Sequence, residues 1–570
     1  MHKLLKTTGA SLAVLAMLGA AVPASAKDAA PAAVPAAPSD KAVRGIAEAV
    51  LAESYAADGP GAAVVVMRGG KIIYAGGRGL ADVAGKRAIA ADTVFRLGSI
   101  TKQFTAAVIV QLAQEGKLSL DDPLSKFLPD YPQPGGSATV RQLLNHTSGI
   151  QSYTDIPGAM APEATARAYS TAELIATFRD QPAPNKPGEV WAYNNSGYVL
   201  LGAIIERVTG KPWHVAVDER IVRPLGLASI RYGVGGEDTA AMAKGYTSEG
   251  DNAASASQPI DMSVPHAAGA LIGTVGDLAK WAQALHHGKV VDEAHYKLMI
   301  APTALPDGST VPYGFGLGVD PLRGHPAIGH SGGIFGFSTD SIYVPQADLF
   351  VAVFANSDSP ATGPGVAMRR IAAAAIGDPY PAFTPQKVDV AAYAPLTGIY
   401  AIADAGERRF FVRDGKFYAQ RRGGSEMEVF PAGEGRFFYG SRSLSWFRLT
   451  RSAEGKPVME FHNNGESEAL IGTWTGPIPA EAAAVAVPRE VLERYAGSYA
   501  LGPAKLTIAL SAEGGLTAQL TGQPPIPLSA TGETEFRTRG VDARLIFDAD
   551  GGAVTLDQGG RQMRAMRTAN

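Results

Sequence analysis

The sequence predicts an α/β or α+β domain followed by two small antiparallel β-domains in tandem. Three observations carry this. Helical and strand signals are mixed from Lys41 to about Ile376. Beyond Gly377 the chain turns to short aromatic strands broken by Gly pairs. Those later stretches also repeat one pattern at a fixed spacing.

In chain order, Lys41 to Ala56 has the spacing of an amphipathic helix. Ala62 to Met67 and Lys71 to Ala75 are apolar runs joined through Gly69-Gly70, the pattern of a hairpin. Helices are expected over Ile100–Glu115, Thr171–Asp180, Tyr198–Val208 and Val275–His286, and strands over Phe337–Phe354. Residues 377–394 read as a linker and 477–488 as a second one, which leaves β-domains at 395–476 and 489–570. Phe410-Phe411-Val412, Lys416-Phe417-Tyr418 and Arg436-Phe437-Phe438 are spaced closely enough for a small barrel or sandwich. Gly398 and Tyr400 correspond to Gly497 and Tyr499, Ala419-Gln420 to Ala518-Gln519, and Phe437 to Phe536, each pair 99 positions apart. One constant offset over so many matches marks two copies of one fold.

A chain of 570 residues exceeds what one core organises, so two or three domains are expected. Hydrophobic residues are 46% and charged residues 18%, which suggests neither disorder nor a membrane bundle. A formal net charge of −3 supplies no positive field to hold a phosphate backbone, so nucleic acid is not an expected partner. There is no cysteine, which excludes disulfides, a thiol nucleophile and a thiolate metal site.

Residues 1–26 read as a signal peptide: Lys3 and Lys6 precede an apolar stretch from Ala10 to Val22, and Ala24-Ser25-Ala26 is a small-x-small cleavage site. The apolar stretch is too short to span a bilayer. Export, to a periplasm or beyond the cell, is the expectation, with no membrane span after cleavage. An Ala/Pro-rich tether follows over residues 27–40.

The chemistry is expected at three segments. Ser99 and Lys102 stand three residues apart just after Gly98, at the opening of an apolar-periodic helix, where positions i and i+3 share a face. A serine hydroxyl needs a nearby base, and a lysine serves as one when burial or a neighbouring charge lowers its pKa. The helix start also offers free backbone N–H groups to an oxyanion. Tyr193 and Asn195 form a Tyr-x-Asn, in which a phenol beside an ammonium sits partly ionised as a general base and the amide orients the lysine or a substrate amide. Gly329-His330-Ser331-Gly332-Gly333 follows Tyr313-Gly314-Phe315-Gly316-Leu317-Gly318; its glycines let a strand edge approach substrate closely.

In order and distance these segments resemble the serine β-lactamase and penicillin-binding-protein superfamily, especially its class C and D-aminopeptidase/esterase branch. Its pattern of Ser-x-x-Lys, Tyr-x-Asn and Lys/His-x-Gly matches Ser99/Lys102, Tyr193/Asn195 and His330/Gly332. Leu143 to Ile150 and Ala268-Gly269-Ala270 leading to Trp281 are similar supporting phrases, and the likeness spans about residues 45–375. The resemblance implies an α/β fold: an antiparallel sheet flanked by helices, with a helical subdomain, over residues 41–376. Two small antiparallel β-barrels, lipocalin-like, would follow, as in the family's D-aminopeptidases. It further implies an acyl-enzyme on Ser99, proton transfer by Lys102 and Tyr193, and an oxyanion site at the N–H groups of Ser99 and Gly333. Asn195, His330, Gly332 and Gly333 would bind substrate, a small molecule or peptide, without metal or organic cofactor; oligomeric state is not legible.

The departure is His330, where the usual residue is Lys. A permanent cation holds a substrate carboxylate, whereas a histidine near pKa ~6.5 is only partly charged at neutral pH. The expectation is therefore a hydrolase of D-amino-acid amides, D-peptides or small esters, with penicillin hydrolysis, D-alanyl-D-alanine carboxypeptidase action and a non-catalytic sensor as the alternatives. Gly329 to Gly333 also fits a Gly-x-Ser-x-Gly elbow, but that motif runs from strand into helix, and a strand is expected after it here. His286-His287 lacks metal-ligand spacing. His146 is explained equally well by loop bonding and is not placed among the site residues.

Overall fold

The computed structural model describes residues 37–233, 241–247, 254–403, 406–480, 484–501, 504–511, 514–521 and 523–568. The signal peptide and residues 27–36 of the tether lie outside the described residues. Two compact units are present, one ending at Tyr380 and one beginning at Pro381.

The first unit is built on a five-stranded antiparallel sheet. Helix α1 (Asp40–Ser54) leads into the hairpin β1 (Ala62–Arg68) and β2 (Lys71–Arg78). Gly69 and Gly70 make its turn with φ of 55° and 74°, the left-handed pair that a two-residue hairpin requires. Helices α2 (Thr101–Gln114), α3 (Asn195–Thr209) and α4 (Val275–His286) follow. Strands β3 (Ile328–Ile334), β4 (Phe337–Val344) and β5 (Leu349–Ala355) complete the sheet in the order β3-β4-β5-β1-β2, before helix α5 (Pro364–Ala375). Central β1 is apolar without alternation because both its faces are covered. Ala62, Val64 and Val66 face a core shared with α1 and α5, while Ala63, Val65 and Met67 face the core shared with α2, α3 and α4. Edge strand β3 is left free to carry functional groups.

The helix expected over Thr171–Asp180 is shorter, ending at Ala176. Thr177 turns its hydroxyl onto the Leu174 carbonyl at 2.7 Å and closes the last turn. Leu174, Ile175 and Phe178 are all buried, so the apolar period runs on past the helix end.

The second unit holds two closed eight-stranded antiparallel barrels, Gly398–Gly476 and Gly497–Arg567. Equivalent residues do equivalent work. Tyr400 and Tyr499 are each fully buried and donate to the carbonyls of Leu396 and Tyr495, while Phe437 and Phe536 fill the two interiors. Each barrel's last strand reaches back over the opening glycine of its first: Trp474 Nε1 donates to the Thr397 carbonyl, and Arg567 Nη2 to that of Ala496. The barrels are joined through Asp542, which accepts from Arg409 Nη1 at 3.0 Å and Gly423 N–H at 2.9 Å, and through Glu426 N–H donating to the Gly540 carbonyl.

The first unit's core sets an acid limit. Burial pushes His266 and His286 down to about 3, whereas an unfolded histidine titrates near ~6.5. Below that value the unfolded chain binds more protons, so each histidine removes about 2 kcal/mol of stability between pH 7 and pH 5. Asp340, pushed up to about 6 by burial, acts oppositely, because its native carboxyl keeps a proton that an unfolded one releases; it returns about 1.3 kcal/mol over the same range. The denaturation midpoint of this unit, followed at pH 7, 6 and 5, is expected to fall with each step. A constant or rising midpoint would contradict the assignment.

Candidate active site

The site lies where the start of α2, the start of α3 and edge strand β3 converge. Ser99 sits in a one-turn 3-10 segment, Gly98–Ile100, that runs directly into α2. Gly98 has φ 54°, and a Cβ there would come within 3.0 Å of the Gly333 nitrogen. At Gly332 a Cβ would stand 2.1 Å from the Leu97 carbonyl oxygen. Two missing side chains thus let β3 lie against the serine turn, and Thr339 Oγ1 pins the approach by donating to the Leu97 carbonyl at 3.0 Å.

Lys102 is 0% exposed, while Ser99 remains partly open. Its Nζ lies 3.2 Å from Ser99 Oγ, 2.8 Å from Asn195 Oδ1 and 2.9 Å from the Ala268 carbonyl oxygen. Burial drives its pKa well below the usual lysine value. A neutral amine has two N–H donors and one lone pair. As an ammonium Lys102 donates to all three oxygens; once it loses a proton, Asn195 Oδ1 and the Ala268 carbonyl, which only accept, take both remaining donors and leave the lone pair to the Ser99 hydroxyl. This arrangement can remove a proton from serine. Asn195 is fixed in turn by its Nδ2, which donates to Thr154 Oγ1 at 3.2 Å, and by its N–H on Ser152 Oγ.

Tyr193 packs its ring 4.8 Å from Lys102 Nζ. Among the described residues its buried hydroxyl makes no hydrogen bond of regular geometry, although the facing Ser99 hydroxyl offsets part of the upward push that burial gives the phenol. The expectation of a partly ionised phenol is corrected here, since burial pushes the Tyr193 phenol up and keeps it protonated, while it pushes the Lys102 amine well below the usual lysine value.

His330 is also corrected. Burial, with Lys102 nearby, pushes it down to about 4, so it is neutral rather than partly charged at pH 7. Its Nδ1 lies 2.5 Å from the Ser331 carbonyl oxygen and its Nε2 2.8 Å from Tyr313 Oη. Tyr313 is delivered by the Gly-rich segment before β3: Gly316, at φ 69°, lies so close that a Cβ would meet the Lys102 carbonyl oxygen at 2.8 Å.

The structure brings Ser99, Lys102, Tyr193, Asn195, His330, Gly332 and Gly333 to one place. Sequence reasoning missed two of their neighbours. His146 is 1% exposed with its ring centre 4.3 Å from that of Tyr193 and tilted to it by 44°, and Tyr313 is 6% exposed between His146 and His330. The phrase Leu143 to Ile150 and the segment ending at Gly318 were the signals. His286 and His287 lie apart from the site, on Tyr343 and Asp348. Gly329 to Gly333 is strand throughout, followed by another strand rather than a helix.

Comparison with known proteins agrees. The sequence profile of the Beta-lactamase family matches residues 44–376. A penicillin-binding protein of Bacillus subtilis (strain 168) is 27% identical over 429 residues, 71% of this chain and 94% of that protein. The D-aminopeptidase of Brucella canis is 27% identical over 324 residues, 56% of this chain and 60% of its own length. Among solved structures, a D-stereospecific amidohydrolase from Streptomyces sp. has 30% identity and a TM-score of 0.50, covering 58% of this chain and 98% of that one. An octameric penicillin-binding protein homologue from Pyrococcus abyssi has 27% identity and a TM-score of 0.53, covering 76% and 99%. With the profile spanning more than half of its length, this chain belongs to the Beta-lactamase family and is a serine hydrolase.

Proposed function

We propose that this hydrolase works through an acyl-enzyme on Ser99, and that its substrates are D-amino-acid amides, short D-peptides or small esters. The observation that carries the reading is the neutral imidazole of His330 where a carboxylate-binding cation would stand. The D-aminopeptidase and D-stereospecific amidohydrolase among the relatives are named for such chemistry.

In this reading Ser99 passes its proton to the Lys102 lone pair as Oγ attacks the carbonyl carbon, and the N–H groups of Ser99 and Gly333 take the oxyanion. Tyr193 gives its phenolic proton to the departing amine or alkoxide and recovers one from the Lys102 ammonium. Water then enters, yields a proton by the same route, and releases the acid as the proton returns to Ser99. Export is part of the proposal, supported by residues 1–26.

Labelling by a fluorophosphonate is expected for the wild type and lost in Ser99→Ala. In a substrate panel, p-nitroanilides or amides of small D-amino acids, or short-chain esters, are expected to turn over faster than penicillins and cephalosporins. A β-lactam rate above all of these would reassign the enzyme, and no labelling of folded protein would favour a sensor. Gly332→Ala, whose Cβ would strike the Leu97 carbonyl, should lower kcat by about 100-fold and also lower the unfolding midpoint, because main chain must give way. An unimpaired kcat would remove the strand edge from the oxyanion site. Mass spectrometry of protein recovered from the producing cell should give Lys27 as the first residue; an intact N-terminus would refute processing.

A further inference from the structure

A directed line of hydrogen bonds ties the Tyr-x-Asn segment to the third motif. Asn194 N–H donates to His146 Nδ1 at 3.1 Å, and His146 Nε2 lies 3.1 Å from Tyr313 Oη. Tyr313 Oη lies 2.8 Å from His330 Nε2, and His330 Nδ1 lies 2.5 Å from the Ser331 carbonyl oxygen. Both ends are backbone groups whose roles are fixed: a peptide N–H only donates, and a carbonyl only accepts. His146 Nδ1 therefore presents a lone pair, and His330 Nδ1 carries a proton.

The interior follows. His146 Nε2–H donates to Tyr313 Oη, and the Tyr313 O–H donates to His330 Nε2. Every donor on this line then meets an acceptor along it with both imidazoles neutral and of opposite tautomer. A proton on His330 Nε2 would point at the Tyr313 hydroxyl and turn its hydrogen away from the ring, toward the Tyr198 hydroxyl that also bonds to it, so the line from His146 to His330 would lose its Tyr313-to-His330 step.

The titratable groups facing this line leave its direction unchanged. From α2 comes Lys102, whose charge, when it carries one, disfavours a charge on either histidine. From the start of α3 comes Tyr198, whose hydroxyl donates to the Leu144 carbonyl at 2.8 Å. Tyr193 contributes its ring, 4.3 Å from that of His146 and 6.1 Å from that of His330. His146 is held for its task with a left-handed backbone, φ 64°, and by Ala192 N–H donating to its carbonyl.

We propose that His146 and Tyr313 are positioning residues that lock His330 as a neutral, Nδ1-protonated imidazole, so that the strand edge meets substrate without positive charge. The proposal rests on reading His330 as the group that turns away a substrate carboxylate, and it names what enforces that choice.

The test uses the full-length protein labelled with 15N-histidine, with resonances assigned by His330→Gln and His146→Gln. At pH 7 and pH 5 the wild type should show His330 protonated on Nδ1 only and His146 on Nε2 only. In Tyr313→Phe, which removes one oxygen, the His330 midpoint should rise above its wild-type value while burial still holds it below the free imidazole near ~6.5. Below that midpoint the KM of a D-peptide with a free carboxylate should drop about tenfold relative to its amide. A merely structural tyrosine would move neither reading. An Nε2-protonated His330, or a wild-type His330 that titrates near ~6.5, overturns the proposal, as does a folded Tyr313→Phe with both readings unchanged. If the variant does not fold, the wild-type spectrum decides. Because the spectra need no substrate, a failed D-amide panel and a failed tautomer lock are told apart.

Discussion

The burial of one amine organises this active site. Lys102 sits at the start of α2 with no exposed surface, and its two acceptors, Asn195 Oδ1 and the Ala268 carbonyl, come from distant parts of the chain. Away from water the ammonium is disfavoured, and the fixed acceptors decide which way the lone pair points. Ser99 need only be nearby. The same desolvation keeps Tyr193 protonated and His330 uncharged, so neither supplies a charge to pair with Lys102, whose own proton is held less tightly than a free lysine's.

Much of this was legible beforehand. Ser99 and Lys102 are set by helical spacing, and a three-residue separation survives any error in the helix boundary. The tandem barrels were legible because equivalent positions such as Tyr400 and Tyr499 keep one offset and one partner geometry. Other features lay beyond pattern. The charge state of His330 depends on a hydroxyl from Tyr313 and on burial, neither of which leaves a mark at position 330 itself. His146 was ambiguous because a histidine after Asn145 fits a loop as readily as a site, and its left-handed φ emerges only when the neighbouring segment closes over it. The early end of the helix at Ala176 was hidden because Phe178 continues the apolar period after the helix has stopped.

Glycine contributes by what it leaves out. At Gly332 and Gly316 the space a side chain would occupy is taken by backbone from the serine turn and from Lys102. Strand β3 and the segment carrying Tyr313 therefore rest on the catalytic helix itself, and the geometry of the site is set by main chain against main chain, where few torsions remain free.

The closing strands of the two barrels have a consequence for biosynthesis. Neighbouring copies of one fold are prone to exchange strands while they fold, since each offers a complementary edge to the other. Here the same latch is made from different chemistry, an indole from Trp474 over Gly398 and a guanidinium from Arg567 over Gly497. A strand that crossed to the wrong copy would bring a charged fork where a flat ring belongs, or the reverse. Divergence at this one position makes the two closures chemically distinct, so the last strands are not interchangeable at that contact.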